Sequence, residues 1–381
     1  RILSIEDYGF YKYILSVYGI VAIFGLTGFY NISSLNVQRG DDEYFYLGFK
    51  YRKLFRWIPA FLSLAISAYY FYMGNSFLAT LFLITIFSHL LVDLYDYYRV
   101  AVMGRGRYRL NTKLETINYF ISFFPPILAA YFTHNLYYVF LTMYIGQFLF
   151  RFIAYKYVEK KLSFHKEKGK LVEKQSLPSY KKESTLLSFN GALSTLSVNG
   201  SSTIVFNRLG AEANAVYSLA ITFADFVYGI ISAPLSKALL LLSRMTKNGN
   251  NKKEKVSLVS TLSRQYFWLG LLAMLATMLG LPIAYKLFFA KYLFSYKYSI
   301  VYSISILSVA FLPAYHYLYE ARRLKLLNII QISSLALGLA ALFFSSMYFG
   351  LWGAIVVALL LRFANNIVST LIVKIENLKE K

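Results

Sequence analysis

Arg208-Leu209-Gly210-Ala211-Glu212-Ala213-Asn214 is a short polar turn between two long apolar segments, in a stretch that runs from Ser184 to Met245. Charge, amide and glycine interrupt an apolar run of this length where the chain reverses direction. Part of the turn repeats the start of the chain. Leu209, Gly210, Glu212 and Tyr217 correspond to Leu3, Ser4, Glu6 and Tyr11, each pair separated by the same 206 positions (209 − 3 for the first). In both copies a polar start signal opens a long apolar helix. Such a repeat predicts a chain built of two related halves.

The composition says what the halves are made of. Hydrophobic residues are 57% of the 381 and charged residues only 15%, far from an ordinary soluble domain. The apolar residues fall in blocks near the length of about 20 residues that crosses a bilayer. Eleven spans are predicted, at 8–34, 54–73, 76–98, 114–133, 136–155, 185–207, 213–243, 263–285, 299–319, 326–347 and 351–373. The first and seventh are longer than a crossing needs, so each includes an interfacial turn or tilts. The fold class is therefore an all-α polytopic membrane protein of two pseudo-symmetric six-helix bundles around a central cavity.

A net charge of +22 suggests nucleic acid only until the basic residues are located. They sit in short connections that alternate between rich and poor in Lys and Arg, the topology signal of a multi-pass protein, and no nucleic-acid partner is expected. The rich side begins with Arg39, Lys50, Arg52, Lys53 and Arg56, continues through Arg99, Arg105, Arg107, Arg109 and Lys113, and ends with the C-terminus, which is placed in the cytoplasm. The same count places Arg1 outside. The repeat offset maps the span at 185–207 onto positions before residue 1, so a further helix is expected upstream and twelve spans in all, six plus six. The predicted parts are an N-terminal bundle at 1–158, a basic linker at 159–183 and a C-terminal bundle at 184–381. With no cysteine in the chain, thiolate chemistry and disulfides are excluded.

The residues at the start of the chain carry a resemblance. Leu3-Ser4-Ile5-Glu6-Asp7-Tyr8-Gly9 resembles the L-S-x-E-x-Y-G signature that opens the second helix of polysaccharide flippases. Arg39-Gly40, Met103-Gly104-Arg105-Gly106-Arg107-Tyr108 and, in the second half, Tyr217-Ser218-Leu219-Ala220 up to Pro234 extend it. By span order the similarity covers nearly the whole chain and is to the Wzx-type exporters of O-antigen or capsule repeat units, members of the MOP superfamily with the MATE drug exporters and lipid II flippases. The resemblance implies a transporter of the bacterial inner membrane that moves lipid-linked oligosaccharide without bond chemistry. Its partners would be that substrate, membrane lipids and the polysaccharide polymerase machinery. No cofactor or metal is implied beyond a coupling H+ or Na+. A drug or lipid II exporter of the same superfamily is the alternative among transporters.

Several predicted spans carry polar residues on one helix face. These are Asn190, Ser194, Ser197 and Ser201; Ser218, Thr222, Asp225, Gly229, Ser232 and Ser236; Asn111, Glu115, Asn118 and Ser122; and His89, Asp93 and Asp96. A polar stripe in hydrocarbon must face protein or water, and helix packing and cavity lining are both open readings. Arg362, midway along the last span with Asn366 and Ser369 on its face, costs roughly 2.5–3.5 kcal/mol at that depth and needs a partner. Asp225 lies at similar depth. Two readings follow, an ion pair that fixes the bundle or a cation that attracts the pyrophosphate of a lipid-linked sugar. His89, Asp93, Asp96, Arg99 and Glu115 form either a charge network or a proton or sodium site coupled to transport. Arg105, Arg107 and Arg109 are candidates for holding lipid head groups at the cytoplasmic face, and the abundant Tyr and Phe are expected mostly at lipid and interface.

An enzyme of another class is conceivable on one feature. Asp93-Leu94-Tyr95-Asp96 has the aspartate spacing with which membrane prenyl or glycosyl transferases hold Mg2+-pyrophosphate, but such a site needs further convergent carboxylates. The other acidic cluster, Asp41-Asp42, falls in a predicted loop, the four histidines are scattered, and no hydrolase, metalloprotease or phosphate-loop motif is present. No catalytic residue is assigned.

Overall fold

A computed structural model describes residues 3–26, 28–38, 40–162, 177–234, 252–320 and 324–378. All regular structure among them is helical. In chain order the elements are α1 (Ile5–Ala22), α2 (Gly28–Gln38), α3 (Glu43–Phe55), α4 (Trp57–Tyr72), α5 (Ser76–Phe87), α6 (Asp93–Tyr95), α7 (Tyr98–Gly104), α8 (Tyr108–Thr133), α9 (Leu136–Lys161), α10 (Leu177–Ser232), α11 (Lys252–Phe288), α12 (Tyr296–Ser303), α13 (Leu312–Glu320) and α14 (Leu324–Leu378). Among the described residues, eight helical stretches are long and apolar enough to cross a membrane, which makes this a multi-pass membrane protein.

Two of those eight, within α10 and α14, are helices folded at a glycine. Gly210 has φ 88° and ψ −179°, and Gly350 has φ 58° and ψ −140°. A side chain with a Cβ is strained at such a φ, so each glycine divides one long element into two arms. Gly210 is the glycine of the quoted turn. In the copy at the chain start, Ser4 stands at the same place and does different work. Its hydroxyl oxygen accepts from the Asp7 backbone N–H at 2.9 Å and donates to the Asp7 carboxylate at 2.6 Å, which caps α1.

The chain divides into two compact units, Leu3–Tyr13 with Leu196–Lys381, and Ile14–Thr195. In the first, the second arm of α10 packs with α11, α12 and α14 through Tyr217, Ala220, Ala224, Met274, Tyr302, Ile306 and Ile355. The opening of α1 belongs to it. Gly9 lies so close to the 208–214 turn that a Cβ would sit 1.8 Å from the Ala211 carbonyl oxygen, and the Asn214 side-chain amide donates to the Gly9 carbonyl at 3.0 Å. In the second unit Phe45, Tyr97, Tyr98, Val100 and Tyr155 form the core where α3, α7 and α9 meet.

The helices depart from the predicted spans in three physical respects. The span at 8–34 breaks at Leu26, whose φ is 52°, and a new helix begins at Gly28. Lys50, Arg52 and Lys53 stand on α3 and not in an irregular connection. The largest fully buried side chains include Tyr97, Tyr98 and Tyr285, so part of the aromatic content is core and not lipid-facing surface.

Candidate functional site

In the first unit the site is built around Arg362, on the second arm of α14. Its guanidinium donates to the Asp225 carboxylate from the second arm of α10 and lies over the Tyr228 ring, 4.0 Å from the centroid. Tyr302 of α12 stands near the same guanidinium. Asn366, one turn beyond Arg362, donates to the Arg362 carbonyl at 3.4 Å. The pair therefore has the partner that its depth demands. It is not sealed: the Arg362 and Asp225 side chains remain 22% and 38% exposed, so an anion has room to approach the cation. Alongside runs an irregular stretch, the 3-10 helix Ile304–Phe311 that follows α12. Pro313 has no N–H with which to bond a carbonyl of the preceding turn, and the chain tightens there.

In the second unit the acidic cluster is a network. Ser88–Val92 forms a π-helical turn between α5 and α6, a wide turn that often occurs at functional positions. It sets His89 and Asp93 together, with His89 Nδ1 3.2 Å from Asp93 Oδ2. The Tyr18 hydroxyl donates to the other Asp93 oxygen at 2.7 Å, and its ring stacks on His89 at 4.4 Å. Asp96 meets Arg99 at 3.2 Å and Arg151 at 3.3 Å, and Arg99 in turn meets Glu115 at 2.5 Å. Arginines also reach the backbone of the π turn, Arg56 to the Leu90 carbonyl at 2.5 Å and Arg151 to that of Val92 at 3.3 Å. A cavity of about 290 Å³ opens beside this network, lined by Tyr30, Asn31, Arg52, Asp93, Asp96 and Arg99 among others. Both aspartates are thus engaged by different hydrogen-bonding and cationic partners, which is unlike a pair of carboxylates free to share Mg2+.

The stripe on α8 faces protein. Glu115 pairs with Arg99, Asn118 accepts from Arg151 at 3.4 Å, and Ser122 accepts from Gln147 at 3.0 Å. The stripes on α10 mostly satisfy themselves. Ser201 donates to the Ser197 carbonyl and Thr222 to that of Ser218, the local back-bonding that lets hydroxyls sit in apolar helices. Ser194 is exposed. The Asn190 side chain and Ser236 lie outside the described residues.

The basic trio separates. Arg105 is ion-paired with Asp42, whereas Arg107 and Arg109 line a pocket with Lys161. Sequence reasoning passed over Tyr18, Tyr228, Tyr302 and Arg151. Three are tyrosines among 35, where residue type carries no signal. Arg151 was legible: with Gln147 it stands at i, i+4 on one face.

Comparison with known proteins places this geometry in a family. The fold is similar to that of a multidrug resistance MATE family transporter of the MOP superfamily in an inward-facing conformation, with a TM-score of 0.72, 13% identity and coverage of 98% of this chain and 91% of that one. It is also similar to the Vibrio cholerae MATE transporter VcmN in its bent form, with a TM-score of 0.62, 15% identity and coverage of 95% and 85%. At such identities the likeness is one of fold. No curated protein matches the chain significantly. A family model described as polysaccharide biosynthesis protein matches residues 1–283, and this chain belongs to that family.

Proposed function

We propose that the protein is a flippase that carries polyprenyl-pyrophosphate-linked oligosaccharide repeat units across the bacterial inner membrane by alternating access. The unit enters from the cytoplasmic side, which holds the basic connections and the C-terminus, and leaves on the other, where a polysaccharide polymerase takes it up. The observation that carries this reading is the half-open Arg362 site. A guanidinium held deep in an apolar helix by one carboxylate, with a tyrosine ring beneath it, offers a planar donor set suited to phosphate oxygens. Family membership supports sugar chemistry as the cargo class. The His89–Asp93 contact is the proposed seat of a coupling proton; Na+ is the alternative ion.

The test is transbilayer movement of a fluorescent polyprenyl-pyrophosphate oligosaccharide in liposomes that hold the purified protein. Movement by wild type, lost in folded Arg362→Ala, supports the reading. The likeness to MATE transporters favours a second reading, export of a drug or of lipid II. Transport of an amphipathic cation with the oligosaccharide lipid left unmoved would select it. Chemically altered lipid in place of movement would replace both with a transferase that uses Asp93 and Asp96.

A further inference from the structure

A second charged site lies away from Arg362. The turn joining α7 to α8 and the last turn of α9 enclose a pocket of about 470 Å³ whose lining includes Arg107, Tyr108, Arg109, Leu110 and Lys161. Three of these are cations, and none of the lining residues among those described is acidic. Of the carboxylates nearest in sequence, Glu159 pairs with Lys156 and Glu115 with Arg99, so no carboxylate among the described lining residues balances the three cations. Like charges brought together repel, and a bound anion relieves that repulsion.

The backbone holds the arrangement in place. The Gly106 N–H donates to the Met103 carbonyl and the Arg107 N–H to that of Val102, at 3.0 Å each, which closes α7 and sends the chain straight into α8. Lys161 donates to the Tyr157 hydroxyl at 2.6 Å, which anchors its ammonium on α9. Tyr108, Leu110 and Leu162 supply an apolar wall. The volume falls within the roughly 300–1,000 Å³ usual for small-ligand sites. Both α8 and α9 have 26 residues, about 39 Å at 1.5 Å per residue. Of the two, α9 is long and apolar enough to cross a membrane, which sets its last turn near the bilayer boundary, where lipid phosphates lie.

We propose that this pocket binds a phosphate group, that of an anionic phospholipid head group or a free phosphate ion, as a site separate from Arg362. The apolar wall and the boundary position favour the lipid as its source. The inference does not rest on the transport reading, and its test needs no transport.

The full chain in detergent micelles would be titrated with dihexanoyl phosphatidic acid and, separately, with inorganic phosphate, and affinity read by native mass spectrometry. The Arg107→Gln/Arg109→Gln double variant should lose at least about tenfold in affinity and Lys161→Gln about threefold, from lost charge-assisted hydrogen bonds. Lys113→Gln, which removes one charge from α8 outside the pocket, should bind as wild type does. Tight binding of the lipid alone identifies a head-group site; equal binding of lipid and ion identifies a site for phosphate whatever its carrier. The proposal is overturned if the folded double variant keeps wild-type affinity, or if Lys113→Gln weakens binding as much as Lys161→Gln. Should the double variant fail to fold, the Lys161→Gln and Lys113→Gln comparison decides.

Discussion

The two units solve the same problem, ionic side chains in an apolar bundle, in opposite ways. In the 14–195 unit, charge is spread over a network in which Asp96 meets two arginines and Arg99 meets two carboxylates. In the other unit Arg362 has one carboxylate and lies over the ring of Tyr228. Each site lies beside irregular helix, a π turn at Ser88–Val92 and a 3-10 stretch at Ile304–Phe311. The difference lies in redundancy. A network member that loses one partner keeps another, whereas Arg362 without Asp225 has no second carboxylate among its described contacts. Redundancy suits a structural element, and a singly held cation suits a site whose partner is exchanged for a ligand's charge.

That comparison breaks most visibly at Arg362. Removing the guanidinium leaves Asp225 half-buried and unpaired. The usual cost of about 3–5 kcal/mol for breaking a buried pair shrinks to about 2 kcal/mol, because both side chains retain solvent. Transport of the oligosaccharide lipid should vanish in Arg362→Ala. Asp225→Asn should cost similar stability yet keep substrate binding, since the cation remains. Thermal midpoints and lipid-binding titrations on both variants check this. Equal loss of binding in the two would show that the pair acts only as a brace.

How much of this was readable in advance depends on the kind of interaction. Arg362 and Asp225 are legible because a charge deep in an apolar run must find an opposite charge at the same depth, and one aspartate lies there. The turn at Gly210 is legible because amides, charges and glycine interrupt an apolar run only where the chain turns. The α8 stripe is legible too, since Glu115, Asn118 and Ser122 share one face and each finds a polar partner. The serine stripes of α10 leave both readings open, because a hydroxyl satisfied by its own helix, as Ser201 is by Ser197, can sit against protein, lipid or water. Tyr18 and Tyr302 were not legible. Their roles follow from tertiary packing, which no spacing rule expresses. The π turn that aims His89 and Asp93 was equally hidden, because an extra residue in a helical turn leaves the apolar pattern intact.

Redundancy in the 14–195 unit predicts a smaller effect there. Asp96→Asn leaves Arg99 with Glu115 and Arg151 with Asn118 and the Val92 carbonyl, so each single variant, Asp96→Asn or Arg151→Met, should cost about 1 kcal/mol. The double variant should cost less than the sum of the two. Unfolding midpoints for the four proteins of that cycle measure the coupling. A loss in Asp96→Asn larger than in Asp225→Asn would reverse the contrast between the units.

The smallest change in stability and the sharpest change in behaviour are expected at His89. Its ring is buried, stacked on Tyr18 and touching Asp93 through Nδ1, and Nε2 has no hydrogen-bond partner among the described residues. His89→Asn keeps a polar side chain near Asp93 and should cost about 0.5–1 kcal/mol, the loss of one modest hydrogen bond. If the imidazole carries the coupling proton, transport driven by a pH gradient across liposomes should fall to the rate seen without one, while downhill movement of the lipid persists. Raising the external proton concentration would then speed wild type and leave His89→Asn unchanged. A variant that still responds to the gradient as wild type does would remove the proton from His89. The network would then be a brace, and coupling would have to be sought at the singly paired cation of the other unit.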